Sequence, residues 1–205
     1  MRGLYLVTPN WDDTERLLAV SELALAAGGV ALLQYRHKEA DPALRREQGA
    51  ALLALCRRYG CPLVINDHLA LCQDIGADGV HVGGTDASVA AMRAALGPDK
   101  IVGASCYGDL ALAQAAGQGG ASYVALGGFY PSLVKQYAVG TAPDLVGHVK
   151  RAVGLPCVVI GGMTAHNAAP LVARGADMVA AISSVYLAPD PAAAVRGFAE
   201  LYSPV

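Results

Sequence analysis

The sequence predicts an α/β fold, a (β/α)8 TIM barrel, on three observations. Eight short apolar runs are spaced along the chain. Between them lie alanine-rich segments with apolar residues at three- and four-residue spacing, the pattern of a helix with one buried face. A junction motif also recurs, at Gly76-Ala77-Asp78-Gly79-Val80, Gly120-Ala121-Ser122-Tyr123-Val124 and Gly175-Ala176-Asp177-Met178-Val179, with Ala27-Gly28-Gly29-Val30 as a looser relative. Its glycine suits a helix end in the left-handed conformation, and its short polar residue leads into the next strand. Repeated helix-to-strand junctions imply parallel strands joined by right-handed crossovers. A doubly wound open sheet is the alternative arrangement of the same elements.

The elements follow in order. Residues 4–8 form the first strand, and 13–27 carry strong helical spacing. Residues 30–35 form the second strand; Asp41-Pro42 then offers a capping carboxylate before a proline at the first helical position, opening a helix over 42–59. Strands at 62–65 and 79–82 come next, then a helix over 87–96. Strands at 101–104, 123–126, 157–160 and 178–182 complete the eight, and Asp190-Pro191 opens the last strong helix, 192–201. No Pro/Ser-rich linker or low-complexity segment interrupts this order, so residues 1–205 are read as a single TIM-barrel domain.

Composition narrows the function classes. Of 205 residues, 54% are hydrophobic and 16% charged, a core-rich globular chain. The net charge of −2 gives no general reason to bind nucleic acid or an anionic membrane, so anion binding must come from locally placed Lys and Arg. The five cysteines form no Cys-x-x-Cys pair and read as buried, reduced thiols of a cytoplasmic protein. The first apolar run is too short for a signal peptide, and residues 23–33 are too short to span a membrane. No zinc site is read from the five histidines. The alanine-rich helices suit a monomer or a homodimer equally.

In this architecture the loops after the strands carry the chemistry. The third strand ends in Asn66-Asp67, and the fourth is followed by Asp86. A buried strand has no structural use for a carboxylate at its end, since desolvating an unpaired charge is costly. Two of them suggest a shared cation, Mg2+, held for a phosphorylated substrate. The competing roles are helix caps, Asp67 for a helix near His68 and Asp86 for one at Ala87. The second strand ends Gln34-Tyr35-Arg36-His37-Lys38, where alternation puts Gln34, Arg36 and Lys38 on one side. Ser105 follows the fifth strand. Gly127 and Gly128, then Ser132 and Lys135, follow the sixth, a loop able to wrap an anion. Gly161 and Gly162 after the seventh strand, and Ile182, Ser183 and Ser184 at the end of the eighth, fit the phosphate site usual to this barrel. His81, in the fourth strand, is read as a hydrogen-bonded core or pocket residue.

Taken together, in this order and spacing, Leu4-Tyr5-Leu6-Val7-Thr8, Gln34 to Lys38, Asn66-Asp67, Ala77 to Val82, Asp86, Gly103-Ala104-Ser105, Pro131-Ser132 with Lys135, Ile160 to Met163 and Ile182-Ser183-Ser184 make the chain resemble the thiamine phosphate synthase family over essentially its whole length. The resemblance implies a magnesium-dependent transferase that joins a hydroxymethylpyrimidine diphosphate to a thiazole phosphate and releases pyrophosphate. It implies Asp67 and Asp86 as Mg2+ ligands. Gln34, Arg36, Lys38, Asn66, Ser105 and Lys135 would hold the pyrimidine diphosphate, and Ser132, Gly162, Ile182 and Ser183 the thiazole phosphate. The chain departs from the family pattern at Gly84, Tyr107 and Val134. The rivals are a thiazole tautomerase-like paralogue, a non-catalytic barrel binding a phosphorylated metabolite, and a sugar-phosphate epimerase-like barrel. The strand-end Asn66, Asp67 and Asp86 speak against the first, and the basic cluster of Arg36, Lys38 and Lys135 against the last.

Overall fold

The computed structural model describes residues 1–83, 88–131 and 140–203. Eight parallel strands close into a barrel in sequence order. They are β1 (Gly3–Val7), β2 (Val30–Tyr35), β3 (Leu63–Asn66), β4 (Gly79–Val82), β5 (Ile101–Tyr107), β6 (Tyr123–Leu126), β7 (Cys157–Ile160) and β8 (Met178–Ala181). The helices are α1 (Thr14–Ala26), α2 (Pro42–Arg58), α3 (Leu69–Ile75), α4 (Val89–Leu96), α5 (Leu110–Gln118), α6 (Leu145–Val153), α7 (Ala165–Ala173), α8 (Ser183–Tyr186) and α9 (Pro191–Glu200). β1 pairs with β8, Gly3 opposite Met178, which closes the ring and excludes the open sheet. Among the described residues, no helix is long and apolar enough to cross a membrane.

Side chains alternate along each strand, so each contributes to two cores. Tyr5, Val7, Leu32, Val64, Tyr123, Ala125, Val158, Met178 and Ala180 fill the barrel interior. Leu4, Leu6, Leu33, Leu63, Ile65, Val80, Val102, Val124 and Val159 face outward into the helical layer. The two Asp-Pro helix starts behave as expected: Asp41 accepts from the Leu44 amide and Asp190 from the Ala193 amide.

The repeated junction has a role beyond the turn. Its polar residue ties one strand to the previous one at the N-terminal rim. Asp78 accepts the Leu63 amide, Ser122 the Val102 amide and Asp177 the Cys157 amide. Each side chain also meets a cation, Arg57, Arg93 and Lys150 respectively. The rim thus satisfies strand-end amides that have no ladder partner.

Several boundaries shift by one residue, β1 from 4–8 to Gly3–Val7 and β3 from 62–65 to Leu63–Asn66 among them, and three shifts have a clear physical reason. β5 runs to Tyr107, three residues past the expected end, because it stays paired with β6 through an irregularity between Ser105 and Tyr107. β8 stops at Ala181, since Ile182 turns the chain into α8. α4 begins at Val89, capped by Ser88, whose hydroxyl accepts the Ala91 amide.

Candidate active site

The C-terminal mouth of the barrel is lined by Gln34, Arg36, His81 and Ser105, around a narrow cavity of about 10 Å³, near the size of one water. A chain of hydrogen bonds fixes Gln34, His81 and Ser105. Gln34 Nε2 donates to the Tyr5 hydroxyl at 2.5 Å. Tyr5 and Tyr123 share a hydroxyl–hydroxyl bond of 2.6 Å. His81 Nδ1 lies 2.8 Å from the Tyr123 hydroxyl, and His81 Nε2 2.9 Å from Ser105 Oγ. The His81 ring stacks on Tyr123 with 17° between planes. Burial pushes both tyrosines upward, so they act as neutral hydroxyls. An apolar barrel would need no such chain; here each polar group answers another, and the chain ends on Gln34 and Ser105 at the mouth. Glycine at 103 makes room for it, because a Cβ there would lie 2.0 Å from the Tyr123 ring.

β3 delivers Asn66 and Asp67 to the same rim. The Asp67 amide donates to the His81 carbonyl at 2.9 Å, holding the end of β3 against β4. Asp67 has φ 61°, a left-handed conformation that favours glycine. Its carboxylate accepts from Asn66 Nδ2 at 2.5 Å and lies 3.4 Å from the Gly83 amide. It caps no helix: α3 begins at Leu69, and its cap position, His68, makes no side-chain cap bond. Asp67 is in none of the ion pairs among the described residues. A carboxylate at an open rim, in no ion pair among the described residues, fits Mg2+, which takes one or two carboxylates and keeps waters and substrate oxygens. Asp86 lies outside the described residues. The cap it could have supplied to α4 is made by Ser88.

The turn after β2 is built by residues other than the expected binders. Thr8 Oγ1 accepts the Arg36 amide at 2.8 Å and lies 3.1 Å from the Arg36 carbonyl, to which it donates. His37 Nδ1 accepts the Ala40 amide, so Nε2 carries the proton and donates to Asp12 at 3.0 Å. Gln34 and Arg36 both reach the central mouth. Lys38 does not continue the alternation, because the chain leaves extended structure after Tyr35. It is exposed and lines an adjoining cleft of about 210 Å³ with His37, Arg45, Asn66, Asp67 and His68. His68 is held below its ordinary pKa, first by partial burial, then by the nearby Arg45 charge, against the pull of Asp67.

Across the mouth, Gly161 and Gly162 have φ of 106° and 60°. A Cβ on Gly162 would lie 2.0 Å from the Pro131 carbonyl, so close packing of this loop on the Tyr130-Pro131 segment already requires glycine. Asn167 completes a capping box with Thr164 and donates to the Gly162 carbonyl at 2.9 Å, fixing the loop. Ser183, half-buried, is the first residue of α8, directly after Ile182. Ser132 and Lys135 lie outside the described residues. The structure therefore brings Gln34, Arg36, Ser105, Asn66 and Asp67 to one rim, with Lys38 at its outer edge. Tyr5, Tyr123 and Gly103 are positioning residues to which the pattern of the sequence assigned no role in the site. The signal was available: a tyrosine at an inward-facing strand position must find a partner for its hydroxyl.

A closed parallel barrel with a polar, partly basic rim at the C-terminal strand ends is a (β/α)8 barrel with its binding site at that rim. A family model described as thiamine monophosphate synthase matches residues 4–185. A thiamine-phosphate synthase of Janthinobacterium sp. (strain Marseille) is 66% identical over 99% of this chain and 98% of its own length. One of Thiobacillus denitrificans is 53% identical over 92% and 89%. Among solved structures, thiamine phosphate pyrophosphorylase from Pyrococcus furiosus superimposes with a TM-score of 0.85 at 28% identity, covering 97% of this chain and 94% of that one. A 3-hexulose-6-phosphate synthase, at 20% identity and a TM-score of 0.72, shares the fold. The chain belongs to the thiamine monophosphate synthase family, and with that membership it is an enzyme of the transferase type.

Proposed function

We propose that this chain, acting in the cytoplasm, condenses 4-amino-2-methyl-5-hydroxymethylpyrimidine diphosphate with 4-methyl-5-hydroxyethylthiazole phosphate, giving thiamine phosphate and pyrophosphate. The observation that carries the reading is that Gln34, Arg36 and Ser105 line the central mouth while Asn66 and Asp67, at the end of the neighbouring β3, line a cleft with Lys38, in a chain that belongs to this family.

The bond that breaks joins the pyrimidine methylene to the diphosphate oxygen, and its electron pair leaves with pyrophosphate. The thiazole nitrogen then donates its lone pair to the methylene carbon. No protein nucleophile is needed, so the residues have to grip, orient and neutralise. Gln34 and Ser105, whose side chains the tyrosine–histidine chain holds in place, would orient the pyrimidine for in-line capture. Arg36, Lys38 and Lys135 would offset the charge of the departing diphosphate. Asn66 would contact the same diphosphate. Ser132, Gly162, Ile182 and Ser183 would hold the thiazole phosphate across the mouth. Asp67 and Asp86 would hold Mg2+, which when bound neutralises negative charge on the leaving group. The test is to incubate the purified protein with both substrates and Mg2+ and to assay thiamine phosphate and pyrophosphate. Equimolar formation is expected; no product at saturating substrate would overturn the reading.

A further inference from the structure

We infer that Arg45 is a further anion-binding residue of this enzyme, its guanidinium reaching the terminal phosphate of the pyrimidine diphosphate, and of released pyrophosphate, from the outer side of Asp67. The inference rests on the synthase reading and extends it to a residue in the first turn of α2.

Arg45 lines the cleft that also holds Lys38, Asn66 and Asp67. It also lines a second cleft, of about 350 Å³, that continues past Asp67 and His68. A phosphate bound beside Asp67 therefore faces Arg45 on the side away from the barrel axis, while Arg36 faces the central mouth.

The bonding of α2 supplies the second observation. This helix carries four arginines, at 45, 46, 57 and 58. Arg46 pairs with Asp74, Arg57 with Asp78 and Arg58 with Glu22. Arg45 is in no ion pair among the described residues, yet it is less exposed than the other three. Its Nη2 donates to the Ala40 carbonyl at 2.6 Å, which fixes the plane of the group. Its Nε is buried and has no partner among the described residues. A guanidinium half removed from water without a counter-charge is costly. With Nη2 bound to Ala40 and Nε shut off from the cleft, the positive charge and the remaining N–H groups of Arg45 are what face the cleft it lines, charge-assisted donors suited to phosphate oxygens.

The experiment compares wild type, Arg45→Met, Arg45→Lys and, as a control on the same helix, Arg46→Met, each checked by thermal melting. Binding of inorganic pyrophosphate with Mg2+ is measured by calorimetry, and KM for each substrate by product assay. Losing a charge-assisted bond should weaken pyrophosphate binding and raise KM for the pyrimidine diphosphate by about tenfold or more in Arg45→Met. Arg45→Lys should fall between, and KM for the thiazole phosphate should stay within about twofold, since that contact is untouched. Arg46→Met should match wild type. If Arg45→Met folds poorly, Arg45→Lys carries the comparison, because it keeps the stem and the charge and loses only the fork. Pyrophosphate affinity equal to that of wild type in the folded Arg45 variants would overturn the inference. Failure of the two readings is separable: a wild-type protein that makes no thiamine phosphate yet loses pyrophosphate binding in the Arg45 variants sinks the synthase reading alone.

Discussion

Asp67 holds a backbone conformation, φ 61°, that costs a non-glycine residue about 1 kcal/mol or more. Nothing in helix capping repays that cost, since the cap position of α3 falls on His68 and makes no side-chain bond. The strain and the carboxylate can therefore be separated by substitution. Asp67→Gly removes the carboxylate and relaxes the backbone. Its melting temperature should equal or exceed that of Asp67→Ala, by the equivalent of about 1 kcal/mol. Both variants should lose thiamine phosphate formation by roughly 100-fold or more, together with its Mg2+ dependence. An Asp67→Gly enzyme that keeps wild-type turnover would remove Asp67 from the metal site. A single position would then report stability and chemistry in opposite directions, which a purely structural aspartate would not do.

At the level of elements, the barrel is held at its two ends by different devices. The N-terminal rim uses the junction aspartates and serine. Asp177 accepts the Cys157 amide at 2.8 Å and pairs with Lys150. Asp177→Ala orphans that amide at the start of β7 and should cost about 1–3 kcal/mol in urea unfolding. Lys150→Met leaves the amide bond intact and should cost well under about 1 kcal/mol, since its side chain is partly exposed. Equal losses in the two variants would mean that the ion pair, not the amide bond, holds the junction. The C-terminal half of the barrel uses the tyrosine–histidine chain, and β5 must come close to let Tyr123 in. Gly103→Ala sets a methyl group against that ring at 2.0 Å, so it should destabilise by about 1–3 kcal/mol. It should also lower turnover more than Asp177→Ala does, because it displaces the groups that hold Gln34 and Ser105. The strands at 30–35, 79–82, 123–126 and 157–160 are legible in the sequence to the residue, because each is a short apolar run bounded by polar or glycine residues. Ser105 and Tyr107 read as loop for the same reason, although pairing with β6 carries the strand through them.

For the molecule as a whole, the rim residues are legible and their support is not. Gln34, Arg36, Asn66 and Asp67 stand out as polar groups at the ends of apolar runs. Tyr5 and Tyr123 lie inside such runs and read as core; their bond spans 118 residues of sequence, a distance that no local pattern can cross. The Arg45 contact is hidden likewise, since an arginine on a helix reads as surface until its neighbours on α2 are seen to be paired. The five cysteines, in contrast, are buried and free as composition suggested, and Cys106 and Cys157 tie the stability of the fold to alkali. Burial raises Cys106 from 9.0 to about 11. Burial, then the Asp177 charge, raises Cys157 from 9.0 to about 12. Burial also pushes up Tyr5, Tyr35, Tyr123, Tyr186 and Tyr202 from their ordinary value of 10.0. In the unfolded chain these thiols lose their protons near pH 9, while the folded chain keeps them. Between about pH 9 and 12 the unfolded state therefore binds fewer protons, and stability falls as pH rises. Below about pH 9 both states are protonated and the full contribution is present, so these groups add no slope there. The urea midpoint should hold level from about pH 7.5 to 8.5, then drop by the equivalent of a few kcal/mol by about pH 11. A Cys106→Ala/Cys157→Ala double variant begins less stable, because two core side chains shrink, but its decline over that window should be shallower. A midpoint that stays flat to pH 11 in wild type, or that declines equally steeply in the double variant, would show that Cys106 and Cys157 do not set the alkaline limit of this barrel.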